Sequence, residues 1–333
     1  MDSKDIALEV KNLVVEYVTA DGTVHAVNDI NLTVKRQSCM GLVGETGAGK
    51  TSTALAIMNL IPSPPGIIRR GRIVLNGYET LSMKDTEMDA VRGKEVAMIF
   101  QDPMTALNPV LTIGEQIAES ILMHEKISKT EALERAKQML EMVGINGNRA
   151  NNYPYQLSGG MKQRVVIAIA LCCNPNLLIA DEPTTALDVT IQAQVLELID
   201  NLRESYKTSM LLITHDLGIV AEMCDEVSVM YAGRIVECGT VKEVFTDTKH
   251  PYTEGLFNSL PNINDRNAQL TPITGLVPDP TDLPPGCAFA PRCRYACAEC
   301  GKRVPKDKWI SATHMVACTA YEKPEFLIER NKK

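Results

Sequence analysis

Residues 44–51 read Gly-Glu-Thr-Gly-Ala-Gly-Lys-Thr, the full spacing G-x-x-x-x-G-K-S/T of a phosphate-cradling loop. Backbone N–H groups can wrap a polyphosphate only where side chains leave room, and Gly44, Gly47 and Gly49 remove that obstruction. Glu45, Thr46, Ala48 and Ser52 complete the set of residues placed against the nucleotide. Lys50 can reach the β- and γ-phosphates, and the Thr51 hydroxyl can ligate magnesium. The context agrees with an α/β fold. Met40–Val43 is a short apolar run suited to a buried strand, and Thr51–Leu60 reads as a helix whose N-terminus faces the anion.

Composition bounds the rest. A chain of 333 residues, 45% hydrophobic and 23% charged, can bury a sizeable core as one large domain with an appendage, or as two domains. No apolar run approaches the roughly 18 residues of a membrane span. The opening MDSKDIALEV has no basic region followed by an apolar core, so a cytoplasmic protein with at most peripheral membrane contact is expected. Residues 287–333 hold ten Lys/Arg and five Asp/Glu, which makes the tail basic and leaves the body strongly acidic. An acidic body argues against nucleic acid as a partner. The tail reads as a solvated surface, or as one able to approach acidic lipid or a protein.

Two further motifs lie downstream. Leu177-Leu178-Ile179-Ala180 reads as a strand buried on both faces of a parallel sheet, with Asp181 and Glu182 emerging at its carboxyl end, where such sheets place ligands. Asp181 fits magnesium support and Glu182 is placed to polarise an attacking water. Between these motifs, Gln156-Leu157-Ser158-Gly159-Gly160-Met161-Lys162-Gln163-Arg164 offers Ser158 as the cap of an apolar helix, a second anion site. One polyphosphate does not need two separate anion sites from one chain.

In order and content these motifs resemble the ATP-binding cassette family. In that family the counterpart of LSGGMKQR completes the ATP site of the opposite subunit, which assigns Ser158, Gly159 and Gly160 to a partner's nucleotide. The resemblance further implies that Gln101, in Phe-Gln-Asp-Pro, is the Q-loop glutamine that helps hold Mg2+. Ala186-Leu187-Asp188 would be the D-loop, His215 the switch histidine and Tyr17 the aromatic that stacks on adenine. Residues 6 to about 245 are covered. The implied fold is α/β, a P-loop ATPase core of ATP-binding cassette type with an antiparallel β subdomain and a helical insert at about 102–175. In the insert, Ser128-Lys129-Thr130-Glu131 predicts a capping box. Leu133, Ala136, Leu140 and Val143 repeat at helical spacing, and Gly144 suits the C-terminal cap.

Residues 251–291 contain eight of the 18 prolines, so 251–286 reads as an extended connector between a cassette domain, 1–250, and a Cys-rich extension, 287–333. Five of ten cysteines fall at Cys287, Cys293, Cys297, Cys300 and Cys318, a density that argues for metal or cluster binding over disulfides. The run Gly286-Cys287-Ala288-Phe289-Ala290-Pro291-Arg292-Cys293, with Cys300 and Val316-Ala317-Cys318, resembles the extension of the oligopeptide, dipeptide and nickel importer ATPases. His250-Pro251-Tyr252-Thr253 resembles that subgroup too. The resemblance implies a 4Fe-4S cluster on Cys287, Cys293, Cys300 and Cys318, with Cys297 an extra thiol. Zn2+ suits four thiolates equally well.

The expected function is therefore an ATPase, with Glu182, His215 and Gln101 catalytic, that powers import of di- or oligopeptides. Its partners would be a second cassette, identical or related, two permease subunits and, indirectly, an extracytoplasmic peptide-binding protein. It would sit on the cytoplasmic face of the membrane. The alternatives are a nickel importer ATPase, or a soluble cassette protein of DNA repair or translation. Repair proteins of that kind carry a long heptad insert and translation factors two cassettes; neither feature occurs here.

Overall fold

The structure is a computed structural model that describes residues 5–185, 187–259, 272–323 and 326–332. The chain forms two compact units that it visits alternately: residues 1–9, 33–39 and 74–213 make the first, and 10–32, 40–73 and 214–333 the second.

The chain opens with two long strands, β1 (Ile6–Thr19) and β2 (Gly22–Lys35). Along β1 the buried positions pass from Leu8 and Val10 to Leu13 and Val15, and the change of parity falls at Asn12, whose φ is +50°. Asparagine tolerates this left-handed conformation better than most side chains. There follow β3 (Cys39–Val43), every residue of it buried, α1 (Lys50–Ile57) and β4 (Gly66–Leu75), all in the second unit except Cys39 and the last two residues of β4, which belong to the first.

The first unit then takes over. It contains β5 (Tyr78–Glu79), which pairs with the last residues of β4, then α2 (Asp85–Val91) and β6 (Val96–Ile99). Next come the helices α3 (Pro103–Ala106), α4 (Ile113–His124), α5 (Lys129–Met142) and α6 (Gly159–Leu171). The unit ends with β7 (Leu177–Asp181), α7 (Val189–Tyr206) and β8 (Ser209–Thr214). Strands β6, β7 and β8 lie parallel in that order, with Val96 opposite Leu177 and Leu177 opposite Ser209. All residues of β7 are buried, as its unbroken apolar run predicts.

Helix α5 forms where its periodicity places it, with two differences of detail. Ser128 caps α5 by accepting from the Glu131 N–H at 3.2 Å. The fully reciprocal capping box belongs instead to α4, where Thr112 and Glu115 bond each other's backbone. The buried stripe of α5 runs through Ala132, Ala136, Met139 and Leu140, so Leu133 sits at its edge, half-buried. Gly144 has φ +75° and ends the helix as expected.

The second unit continues with α8 (Leu217–Met223), β9 (Glu226–Tyr231), β10 (Arg234–Thr240), α9 (Val241–Thr246) and α10 (Pro251–Asn258). It closes with two short strands, β11 (Lys308–Trp309) and β12 (Met315–Val316). Strand β9 lies parallel to β3 and antiparallel to β10, and β12 extends the sheet with Glu237 opposite Val316. The C-terminal segment thus adds strands to the sheet that carries the phosphate loop.

Helix α10 corrects the expectation that 251–286 is extended throughout. Pro251 occupies the first helical turn, where a missing N–H costs nothing, and the His250 side chain caps the helix by accepting from the Tyr252 N–H at 3.1 Å. Residues 272–286 contain neither helix nor strand, and 260–271, also within that connector, lie outside the described residues. Among the described residues no helix is long and apolar enough to cross a membrane.

Candidate nucleotide-binding site

The phosphate loop leaves β3 and enters α1 under tight steric control. A Cβ on Gly44 would stand 2.1 Å from the Met230 carbonyl oxygen, and one on Gly49 would stand 2.2 Å from that of Ala26. Gly49 also has φ +102°. Both positions exclude any side chain. Gly47, by contrast, has open space around it and is required for its φ of +81°. Gly49 has no side chain with which to cap α1. The Lys50 side chain is buried, and its ammonium donates to the carbonyls of Gly44 and Glu45 at 2.8 and 3.1 Å. Thr46 and Thr51 are exposed, whereas Ala48 is buried. Tyr17, half-buried on β1, reaches the loop's helix through its hydroxyl, 3.3 Å from the Ser52 Oγ. His215 follows β8 and is exposed, while Asp216 caps α8 by accepting from the N–H groups of Gly218 and Ile219.

The first unit gathers a different set. Asp181 ends β7 and is 2% exposed. Glu182 follows with φ +46°, and its N–H donates to the Ile213 carbonyl at 2.8 Å. Its Oε2 accepts from Gln101 Nε2 at 3.0 Å and from Thr185 Oγ1 at 2.9 Å. Ser158 caps α6 through the Met161 N–H at 3.4 Å and is exposed together with Gly159, where a Cβ would meet nothing. A Cβ on Gly160 would stand 2.8 Å from Ile191 Cγ2. Asp188 caps α7 by accepting from the Ile191 N–H at 3.0 Å. Ala186, in the expected D-loop, lies outside the described residues.

Two participants escaped the sequence. Gln163, 1% exposed, donates to the Pro183 carbonyl at 2.6 Å and so ties α6 to the turn after Glu182. Thr185 orients the Glu182 carboxylate. Either residue type alone is too common in turns and helices to carry a signal.

In the C-terminal segment Cys287, Cys293, Cys300 and Cys318 line one cavity with Phe289 and Tyr295. Burial pushes the thiols of Cys287, Cys293 and Cys318 up, Cys293 to about 11 and Cys318 to about 12. Cys297 is exposed, with its Sγ 3.5 Å from that of the buried Cys300. The donor set suits a soft metal centre. Among the described residues, however, no group of three or more His, Cys, Asp or Glu side chains is disposed to hold a metal ion.

Known proteins with this architecture set the class. The dimeric post-hydrolysis structure of the ATP-binding cassette MJ0796 bound to ADP and Pi covers 70% of this chain and 98% of its own, with a TM-score of 0.63 and 27% identity. The protein is an ATP-binding cassette ATPase. Residues 27–185 match the ABC transporter family, and residues 236–300 match the oligopeptide/dipeptide transporter C-terminal region. The oligopeptide transport ATP-binding protein OppD of Bacillus subtilis is 51% identical over 312 residues, 93% of this chain and 87% of the relative. The dipeptide transport ATP-binding protein DppD of the same organism is 47% identical over 313 residues, 93% of each chain. The chain belongs to the oligopeptide/dipeptide family of ABC transporter ATP-binding subunits.

Proposed function

We propose that this ATPase powers a membrane importer of di- and oligopeptides, by closing with a second cassette around shared ATP and driving two permease subunits. The contact of Gln101 with Glu182 carries the reading, because it joins the residue suited to polarising water to the head of the helical insert. In the ATP site, Lys50 and the loop amides bind the phosphates, Tyr17 receives the adenine, and Glu182 takes the proton from the attacking water while His215 steadies the γ-phosphate. Mg2+ would be held by Thr51, Asp181 and Gln101 and would supply neutralisation of phosphate charge. The exposed Ser158 and Gly159, with Gly160 and Asp188, would serve the partner's nucleotide, which explains an anion site turned to solvent. Peptide as substrate is supported by the similarity to OppD and DppD, and the permease and an extracytoplasmic peptide-binding protein would select it. The subunit would sit peripherally on the cytoplasmic face of the membrane.

Reconstitution of the full transporter in liposomes tests this. ATP inside should drive peptide uptake, and permease should stimulate hydrolysis. Uptake of nickel instead of peptide, or ATPase activity indifferent to permease, would contradict the proposal.

We infer from the resemblance of the cysteine segment, together with four thiols that line one cavity without yet being disposed around a metal, a 4Fe-4S cluster on Cys287, Cys293, Cys300 and Cys318, with Cys300 preferred to Cys297 because it is buried at the cavity. A cluster there would supply structural cross-linking of distant parts of the segment. A single Zn2+ is the rival.

A further inference from the structure

We propose that Arg292, in the C-terminal cysteine segment, is a positioning residue for the phosphate loop, so that nucleotide affinity depends on the extension. The inference rests on residues 44–51 binding ATP. The Arg292 side chain is 5% exposed. Its guanidinium forks onto the Glu45 carboxylate, with Nη1 2.7 Å from Oε2 and Nη2 3.1 Å from Oε1. Its Nε donates to the Thr274 carbonyl at 3.2 Å, and Nη1 also meets the Tyr231 hydroxyl at 3.3 Å.

Glu45 is held at its other end too. Its N–H donates to the Tyr252 hydroxyl at 2.9 Å. Tyr231, Tyr252 and Phe289 pack against one another with ring centroids 4.6 to 5.4 Å apart, and all three are buried. This platform sets both Arg292 and Glu45. The carbonyls of Gly44 and Glu45 in turn hold the Lys50 ammonium. A continuous series of contacts therefore runs from the cysteine segment to the lysine of the loop.

The chemistry gives the series a purpose. A carboxylate on the second residue of a polyphosphate loop opposes the charge of its ligand. A bidentate guanidinium cancels that charge and fixes the side chain in one geometry.

Equilibrium ATP binding to the full chain tests the proposal. Arg292→Gln should weaken ATP binding about tenfold by leaving the carboxylate uncompensated. Removing that carboxylate as well, in Glu45→Gln/Arg292→Gln, should return affinity to within about threefold of the parent. Arg292→Lys should fall between, because an ammonium cannot fork. Unchanged affinity in Arg292→Gln would overturn the proposal. So would a double variant as weak as the single, since that result assigns Arg292 to general folding. The underlying loop assignment fails separately, through normal ATP affinity in Lys50→Ala.

Discussion

Glu182 adopts φ +46°, a left-handed conformation that costs a residue with a side chain on the order of 1–2 kcal/mol. Its N–H bond to Ile213 and the carboxylate bonds from Gln101 and Thr185 hold it there. The carboxylate is thus pre-oriented at the end of β7 rather than free to sample rotamers. Glu182→Gln should retain ATP binding and trap a closed dimer, while turnover falls on the order of 10²–10⁴-fold. Steady-state hydrolysis and gel filtration with ATP check both halves, and an unchanged rate would remove Glu182 from the chemistry. Lys50→Ala acts earlier, on binding, and titration with ATP should show the loss directly.

At the scale of elements, α9 joins the cassette sheet to the extension. Thr240 and Glu243 form a reciprocal capping box, and the same Glu243 carboxylate accepts from the hydroxyls of Ser311 and Thr313. Burial raises the Glu243 pKa, but the bonds from Ser311, Thr240 and Thr313 outweigh it and leave the carboxyl at about 2, below its ordinary 4.5. A depressed carboxyl stabilises the fold fully above its unfolded value and loses that contribution as pH falls through the folded one. The stability difference between the parent protein and Glu243→Gln should therefore be greatest near pH 7 and shrink between roughly pH 4.5 and pH 2. Thermal melts across that range check the sign. A difference that grows in acid would contradict it.

At the largest scale, the C-terminal segment is stitched to the rest of the second unit by β12 and by a buried carboxylate. Glu237, fully buried, accepts from the Lys249 and His250 N–H groups at 2.6 and 2.9 Å and meets His314 Nε2 at 2.8 Å. The cysteine cavity lies in the same segment. Anaerobically purified protein should be brown, with about four irons and four sulfides per chain. Cys300→Ser should lose them and Cys297→Ser should not, with iron and sulfide assays deciding. One zinc without sulfide would refute the cluster while keeping the ligands. The phosphate loop, the strand before Asp181 and the capped helix at Ser158 were legible from the sequence, because each is a contiguous run whose backbone geometry is set by neighbouring residues. The helix at 251–258 was not legible, because a proline-rich run disfavours a helix everywhere but its first turn, which is where Pro251 falls. The sequence by itself thus determined the ATPase chemistry and the pool of thiols. Only the tertiary structure decided which side chains meet: Gln101 with Glu182 across 81 residues, and Arg292 with Glu45 across 247. Such pairs depend on the path of the chain, which brings together carboxylate, amide and guanidinium groups whose spacing in sequence carries no trace of the contact.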